Sequence, residues 1–483
     1  MRTAEGWRTA AWLSLPVSLS FALRWWLISA DRVPTLYDQS VHLYLMRMLA
    51  RREGRLYEDA FFVHPPAMIW LGAWLWRMTE GNLSAMRLIH AGVASAGILP
   101  FLLVAHRAFG RRVVVAAAWL LSLTPAWSGW LGANLYLEQP LAILVSAAVG
   151  LAIIATSNRT RAVAGLGLGV AMLVKLTAVP VAVAATAGLA LASLRAPCRD
   201  GLRTGFPLDA WKWLAAGCAA GWSLSALVLF SLPGAISCTL FAPAAVPWRL
   251  QGRLCELTGA LLHLPVALVI GGLAAVAATR SLNPRERACG YTVLLLVPAL
   301  AVVPATFYWR HLAVALPLLS VLAAASCSTR IGTKQRAGRV IVCSVLGSVQ
   351  LGTLAFGLIG PGAAHQRHDD DAVSALRHAP EPVFTLRPIW LIVGDRQAVP
   401  WRFASDPAFA LDNHRVPPQD MLGVVRQSRT IVATDEDRRW LPPAVARMVS
   451  REYAPAFVRH GAERHERMEI WLRRTAIRST PSP

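Results

Sequence analysis

Residues 65–78 read PPAMIWLGAWLWRM, an apolar run in which Arg77 is the one charge. A membrane-spanning helix needs about 20 apolar residues, and this run is too short. Pro65-Pro66 suit the first turn of a helix, where a missing N–H costs nothing. The run therefore predicts a helix lying in the membrane interface.

The orientation of everything downstream turns on that reading. Longer apolar runs predict about eleven spans, at 9–29, 85–108, 113–131, 137–156, 162–176, 177–194, 211–232, 257–279, 288–306, 311–327 and 338–360. The fifth and sixth are short and meet at Lys175. The first is as long as a full span, longer than the apolar stretch of a signal peptide, and is expected to be a retained anchor. With the N-terminus inside, the inner loops are 107–112, 158–161, 195–212, 280–287 and 330–339. Each carries at least two Lys or Arg, as the positive-inside rule requires. Counting 65–78 as a span would put most of these clusters outside.

Composition agrees. Of 483 residues, 55% are hydrophobic and 16% charged, whereas soluble domains sit near 25% charged. The net charge of +21 would suggest nucleic acid in a soluble protein. Here the basic residues sit in short loops between apolar runs, so no nucleic-acid partner is expected. Several of the 19 Trp, including Trp25, Trp26, Trp127, Trp130, Trp211 and Trp309, fall near span ends, the depth that amphipathic rings favour. The seven Cys are scattered without a CxxC, which argues against a disulfide framework or a zinc knuckle.

Past residue 360 the character changes. Fifteen of the 27 acids lie in 361–483, and short apolar stretches (383–386, 390–393, 430–433, 468–472) alternate with polar segments. The expected fold is an all-α polytopic membrane protein over 1–360, its first outer loop at 30–84 carrying juxtamembrane helices. A small α/β domain at 361–483 is expected outside the cytoplasm.

Only twelve acids precede residue 361, and a charge at mid-bilayer costs about 2.5–3.5 kcal/mol on insertion scales. On the predicted topology the notable polar groups share the outer face. Asp38, Glu58, Asp59 and His64 lie in the first loop, Glu138 at the start of a span, Lys175 at an outer turn, and Arg310-His311 at another. Acids and bases gathered on one face suit a phosphate-bearing, lipid-linked substrate. Transfer of a sugar from a lipid phosphate needs a base for the acceptor hydroxyl and cations for the departing phosphate. Asp38 is the candidate base. Lys175 and Arg310 are candidate phosphate contacts, and Arg249 and Arg253 read as loop charges. A shared cavity at the lipid–water border for residues 38, 175 and 310 is the geometric expectation.

Four stretches carry a resemblance. They are Tyr37-Asp38-Gln39 through Gly54-Arg55-Leu56-Tyr57-Glu58-Asp59 to His64-Pro65-Pro66; Leu137-Glu138-Gln139-Pro140; Gly165 to Lys175-Leu176-Thr177; and Tyr308-Trp309-Arg310-His311 with Pro317. In order and spacing the chain resembles the integral-membrane GT-C glycosyltransferases, of the bacterial protein O-mannosyltransferase and lipid A aminoarabinose transferase type. The resemblance covers roughly 1–360. It implies a polyprenyl-phosphate sugar donor, inverting transfer with Asp38 as general base, and a substrate site including Tyr37, Asp59, His64, Glu138, Lys175, Arg310 and His311. The acceptor would be a lipid, glycan or protein, and the location a bacterial inner membrane. Many members have a second acid directly after the catalytic Asp; here it is Gln39. A divalent cation stays open as a cofactor, although no ligand cluster supports one, and no other cofactor is expected.

Blander readings stand beside these. Asp is a favoured N-cap, Lys175 can snorkel, and Gly165, Gly167 and Gly169 inside a span indicate close helix packing. Asp369-Asp370-Asp371 reads as a solvated connector. Two other functions compete: a flippase or transporter of lipid-linked sugars, which predicts charges deep within spans, and a non-catalytic membrane scaffold.

Overall fold

The computed structural model describes residues 2–30, 32–33, 35, 37–194, 198–199, 202–203, 209–244, 246, 250–281, 283–304, 308–328, 345–356, 370–412, 416–460 and 467–474. The chain divides into two compact units. One comprises 1–34, 83–231 and 243–365; the other 35–82, 232–242 and 366–483. Arg249, Asp369 and the whole basic stretch 330–339 lie outside the described residues. Of the run 338–360, residues 345–356 are described, and they are helical.

The first unit is helical apart from one short antiparallel pair, Cys198–Arg199 with Leu202–Arg203. Its apolar runs form helices because an isolated backbone in lipid must satisfy its own N–H and C=O groups. Among the described residues, four helices are long and apolar enough to cross a membrane unaided: Ala11–Ser29, Leu83–Phe109, Ala210–Phe230 and Trp309–Cys327. Glu138–Ile154, Ala178–Leu194 and Val345–Phe356 are shorter apolar helices. The run 257–279 departs from the expected straight span. Helix Leu250–His263 stops, and Pro265–Ala278 leaves it at 97°. Pro265 offers no N–H to continue the first helix and is placed to start the second. The runs 162–176 and 177–194 are likewise two helices, separated by a 3-10 turn at Ala171–Leu173 and an open stretch carrying Lys175.

Glycine sets the tightest helix contact. A Cβ on Gly165 would lie 2.1 Å from the Leu214 carbonyl oxygen, and one on Gly169 2.6 Å from that of Cys218. Gly217 and Gly221 approach Asn158–Val170 as closely from the other side. Gly167 faces away; its Cβ would meet only Ala148 at 3.8 Å. These are small residues four apart on facing helices, the arrangement that lets membrane helices touch backbone to backbone.

Arg24, fully buried, ties three segments together. Its guanidinium donates to the Trp127 carbonyl (Nε, 3.1 Å), the Ala91 carbonyl (3.2 Å) and Ser95 Oγ (2.9 Å). Ser20 and Ser128 hydroxyls pair at 2.7 Å one turn away.

The second unit is built on a four-stranded sheet: β1 Val383–Thr385, β2 Thr430–Thr434, β3 Tyr453–His460 and β4 Arg467–Arg473, in the order β1-β2-β4-β3. β1 and β2 are parallel, with Phe384 opposite Ile431; β4 is antiparallel to both its neighbours, with Val432 opposite Ile470. Alternate side chains serve two cores. Phe384, Ile431 and Ala433 face Met421, Val425 and Val445. Val383, Val432 and Ile470 face Leu376 and Leu391. Both faces are covered, so β1 and β2 read as continuous apolar runs. Residues 390–393 belong to a short helix, Ile389–Val393, rather than a strand. β3 contains Pro455 and a register shift, tolerable because it is an edge strand.

The first loop belongs to this unit. Helix Tyr37–Arg51 packs Tyr44 on the second core. Its Arg47 donates to the Leu391 carbonyl and, at 2.6 Å, to that of Arg396. The run 65–78 gives helix Ala67–Met78, twelve residues and so about 18 Å long at 1.5 Å per residue. Ile69, Gly72, Ala73 and Trp76 are buried while Trp70, Leu71, Trp74 and Met78 are exposed.

Candidate active site

Two clusters hold the residues singled out by sequence, one in each unit. In the second unit, Asp38 sits half-buried in the first turn of Tyr37–Arg51, where a carboxylate meets the positive end of the helix dipole. Its neighbour Tyr37 donates its hydroxyl to Asp406 Oδ1 at 2.9 Å. The Phe409 backbone N–H donates to the same oxygen at 3.2 Å. Burial pushes the Asp406 carboxyl up to about 7, and the charge of Asp38 adds to that rise, against the two hydrogen bonds.

The loop after this helix is fastened by its own charges. Asp59 accepts from the Arg55 backbone N–H (2.9 Å) and from Arg55 Nε (3.2 Å), while Arg55 also pairs with Glu58 at 2.7 Å. Those bonds hold the Asp59 carboxyl below the usual range. Tyr57, at φ 71°, points its hydroxyl to the His64 carbonyl at 2.7 Å. The His64 ring stands edge-on to Phe62 and His42, centroids 5.4 and 6.1 Å away. Residues from the chain's far end close over this loop: Arg402 donates to the Tyr57 carbonyl (3.1 Å), the Phe61 N–H to the Arg402 carbonyl (2.8 Å), and Ser405 Oγ to the Phe61 carbonyl (2.7 Å).

In the first unit, Glu138 opens helix Glu138–Ile154 and is 2% exposed. Lys175 Nζ donates to its Oε1 at 2.6 Å, and Arg310 Nε lies 3.3 Å from the same oxygen. Lys175 reaches it because the helix breaks around residue 175. Arg310 reaches it from the 3-10 stretch Trp309–Ala315, its guanidinium over the rings of Tyr308 (4.6 Å) and Tyr136 (5.1 Å), a cation–π arrangement. His311 is buried beside it, its ring edge-on to Tyr308. Two cations against one carboxylate leave these three side chains at +1.

Arg253 is no loop charge. It lies in helix Leu250–His263, buried, and donates to the carbonyls of Ala301 and Pro304 at 2.5 Å each. Pro284–Val302 ends there, leaving carbonyls without helical partners, and Arg253 satisfies them. Sequence reasoning also passed over Glu256, which accepts from the Trp309 N–H at 2.8 Å, and His263, whose ring stacks on Trp309 at 4.2 Å. Asp406 was missed as well; an acid in a polar segment, 369 residues from Tyr37, carries no local signal. Among the described residues no group of three or more His, Cys, Asp or Glu is placed to hold a metal ion.

Comparison with known proteins bears on this geometry. The family model described as dolichyl-phosphate-mannose-protein mannosyltransferase matches residues 63–202, which include His64, Glu138 and Lys175. Among solved structures, ArnT from Cupriavidus metallidurans bound to undecaprenyl phosphate aligns with TM-score 0.66 at 14% identity, over 95% of this chain and 98% of that one. The fold is that of the GT-C glycosyltransferases. The apo state of the same ArnT gives TM-score 0.62 at 14% identity, covering 97% and 98%. The GT-C oligosaccharyltransferase AglB from Archaeoglobus fulgidus, in complex with an inhibitory peptide and a dolichol-phosphate, gives 0.58 at 12% identity, covering 96% and 74%. Comparison with curated proteins returns no match. The GT-C resemblance read from four short motifs, of the mannosyltransferase and ArnT-like type, is thus shown.

Proposed function

We propose that this chain transfers a sugar from a polyprenyl-phosphate donor to an acceptor hydroxyl at the outer face of a bacterial inner membrane, with inversion. The observation that carries the reading is the buried Glu138–Lys175–Arg310 cluster in a chain of GT-C fold. A sugar linked through a polyprenyl phosphodiester carries one negative charge, and the departing polyprenyl phosphate monoester carries close to two. A site with net charge +1 interacts more strongly with the second than with the first. Its contribution therefore grows as the sugar–phosphate bond breaks, which is where binding accelerates a reaction. Arg310, 16% exposed against 6% for Lys175, is the cation more open to phosphate, and Lys175 and Glu138 set its orientation. His311 completes that pocket.

Asp38 is the general base. The acceptor oxygen attacks the anomeric carbon from the face opposite the phosphate as Asp38 takes its proton; the carbon–phosphate-oxygen bond breaks and polyprenyl phosphate leaves. Tyr37, His64 and the Asp59-fastened turn shape the acceptor side. The topology that goes with this mechanism has about eleven spans, 67–78 lying in the interface, and residues 361–483 outside the cytoplasm, where they take part in acceptor recognition. The polyprenyl phosphates named with ArnT and AglB support this class of donor, and the acceptor is a lipid, glycan or protein.

The test uses the purified chain in nanodiscs with undecaprenyl phosphate carrying mannose, glucose or aminoarabinose. Asp38→Asn should lower transfer from the active donor by about 10²–10⁴-fold while leaving yield and melting temperature unchanged. Transfer at the parental rate would remove Asp38 as the base. A periplasm-active reporter fused after residue 362 should be active, and a silent one would overturn the span parity.

A further inference from the structure

We infer that Asp406, supplied by the C-terminal residues, is a positioning residue for the transfer reaction: it holds the Tyr37 hydroxyl and thereby fixes the first helical turn that carries Asp38. The inference rests on the reading of Asp38 as the base and adds a residue that lies outside every motif of the resemblance.

The geometry is specific. Asp406 is 8% exposed and follows the 3-10 turn Arg402–Ser405, which is bolted to the first loop by the three hydrogen bonds described above. It is therefore not free to swing away from Tyr37. Phe409, whose N–H donates to Asp406, and Phe403 pack their rings on Phe61 at 5.2 and 5.1 Å, so the acceptor oxygen is held from both sides. On the other side, Tyr37 is the first residue of Tyr37–Arg51, and Ser40 Oγ donates to its carbonyl at 2.6 Å. Anchoring the Tyr37 ring at its tip and its backbone at Ser40 fixes the orientation of the next residue, Asp38.

A general base works only within hydrogen-bond reach of the proton it takes, and a displacement of about 1 Å can cost about 100-fold. An anchor on the adjacent side chain is an economical way to hold that distance. Asp406 faces the titratable groups Tyr37 and Asp38, both on Tyr37–Arg51. A protonated Asp406 keeps a carbonyl oxygen for both donors and adds no second negative charge beside Asp38. An ionised one adds that charge.

Two measurements on the full chain in nanodiscs test this. In pH-difference infrared spectra, a protonated carboxyl band should titrate with a midpoint near 7, vanish in Asp406→Asn, and move to higher pH in Tyr37→Phe, which removes a hydrogen bond to the ionised form. A band unmoved by Tyr37→Phe would show that the two groups are not joined. In transfer assays with the undecaprenyl-phosphate sugar that the parent chain uses, Tyr37→Phe and Asp406→Ala should lower kcat about 10–100-fold with the donor KM unchanged. Asp406→Asn keeps the acceptor oxygen and should restore the rate at pH 6. Parental kcat in both Tyr37→Phe and Asp406→Ala, alongside an inactive Asp38→Asn, overturns the positioning role and leaves the transferase reading standing. An active Asp38→Asn overturns the reading beneath it. Failure of Asp406→Asn to rescue a folded protein at pH 6 also refutes the inference.

Discussion

Consider Glu138→Gln. The substitution keeps the shape of the side chain and removes the one carboxylate among Lys175, Arg310 and Glu138. At an effective dielectric of about 20, a unit charge pair at 2.6 Å is worth ~6 kcal/mol and one at 3.3 Å ~5 kcal/mol, before desolvation. Most of that is cancelled by the cost of bringing three charges out of water. Removing one member leaves that cost uncompensated, and measured losses for such a break are about 3–5 kcal/mol. With an unfolding entropy of ~2.1 cal/mol/K per residue, ~4 kcal/mol over 483 residues corresponds to a fall in melting temperature of about 4 °C. The double variant Glu138→Gln/Lys175→Met removes the stranded ammonium as well. It should recover at least ~1 kcal/mol, about 1 °C, because the two substitutions act on one interaction. Thermal unfolding followed by tryptophan fluorescence in detergent checks both. If the double variant melts at or below the single, the pair is not the reason Glu138 is buried, and the electrostatic account of the cluster fails.

Other expectations follow from single contacts. Asp406 is raised from 3.8 to about 7 by folding, so its favourable contribution is complete below pH 4 and is lost as pH rises through 7. The unit containing it should be destabilised by ~4 kcal/mol across that window, a slope that Asp406→Asn abolishes in urea titrations at pH 4 and pH 8. Gly169→Val puts a branched side chain where Cβ alone lies 2.6 Å from the Cys218 carbonyl. It should cost at least ~1–3 kcal/mol by overpacking, read as lowered yield and melting temperature, while Gly167→Val, exposed and with only Ala148 at ordinary contact distance (3.8 Å) from its Cβ, should not. Arg253→Met strands the Ala301 and Pro304 carbonyls and should cost about 1–3 kcal/mol, visible as faster proteolysis near residue 304.

How much of this was legible beforehand depends on the range of each interaction. Most of the apolar runs predicted helices at nearly the right residues, because in lipid an apolar stretch must satisfy its own backbone groups; the run 113–131 instead breaks after Ser122. Gly165 and Gly169 were legible as packing residues for the same local reason. The 97° break at Leu264 was signalled only by Pro265, which a hydropathy average hides. Arg253 was misread as a loop charge because the carbonyls it caps lie 48 and 51 residues away. The helix at 390–393 was not legible because four apolar residues in a row fit a buried strand and a buried helical turn equally.

The sequence by itself determined the apolar character of this protein, the approximate positions of most of its helices and the motif set that resembles GT-C enzymes. These depend on composition and spacing within one segment. Tertiary structure alone decided that Glu138 meets both Lys175 and Arg310, and that Asp406 meets Tyr37 from 369 residues away. A salt bridge or hydrogen bond is set by distances of about 3 Å, and chain order does not fix a distance of that size between residues on different elements. Only the packing of helices and sheet, with every buried polar group requiring a partner, selects which of the available charges face one another.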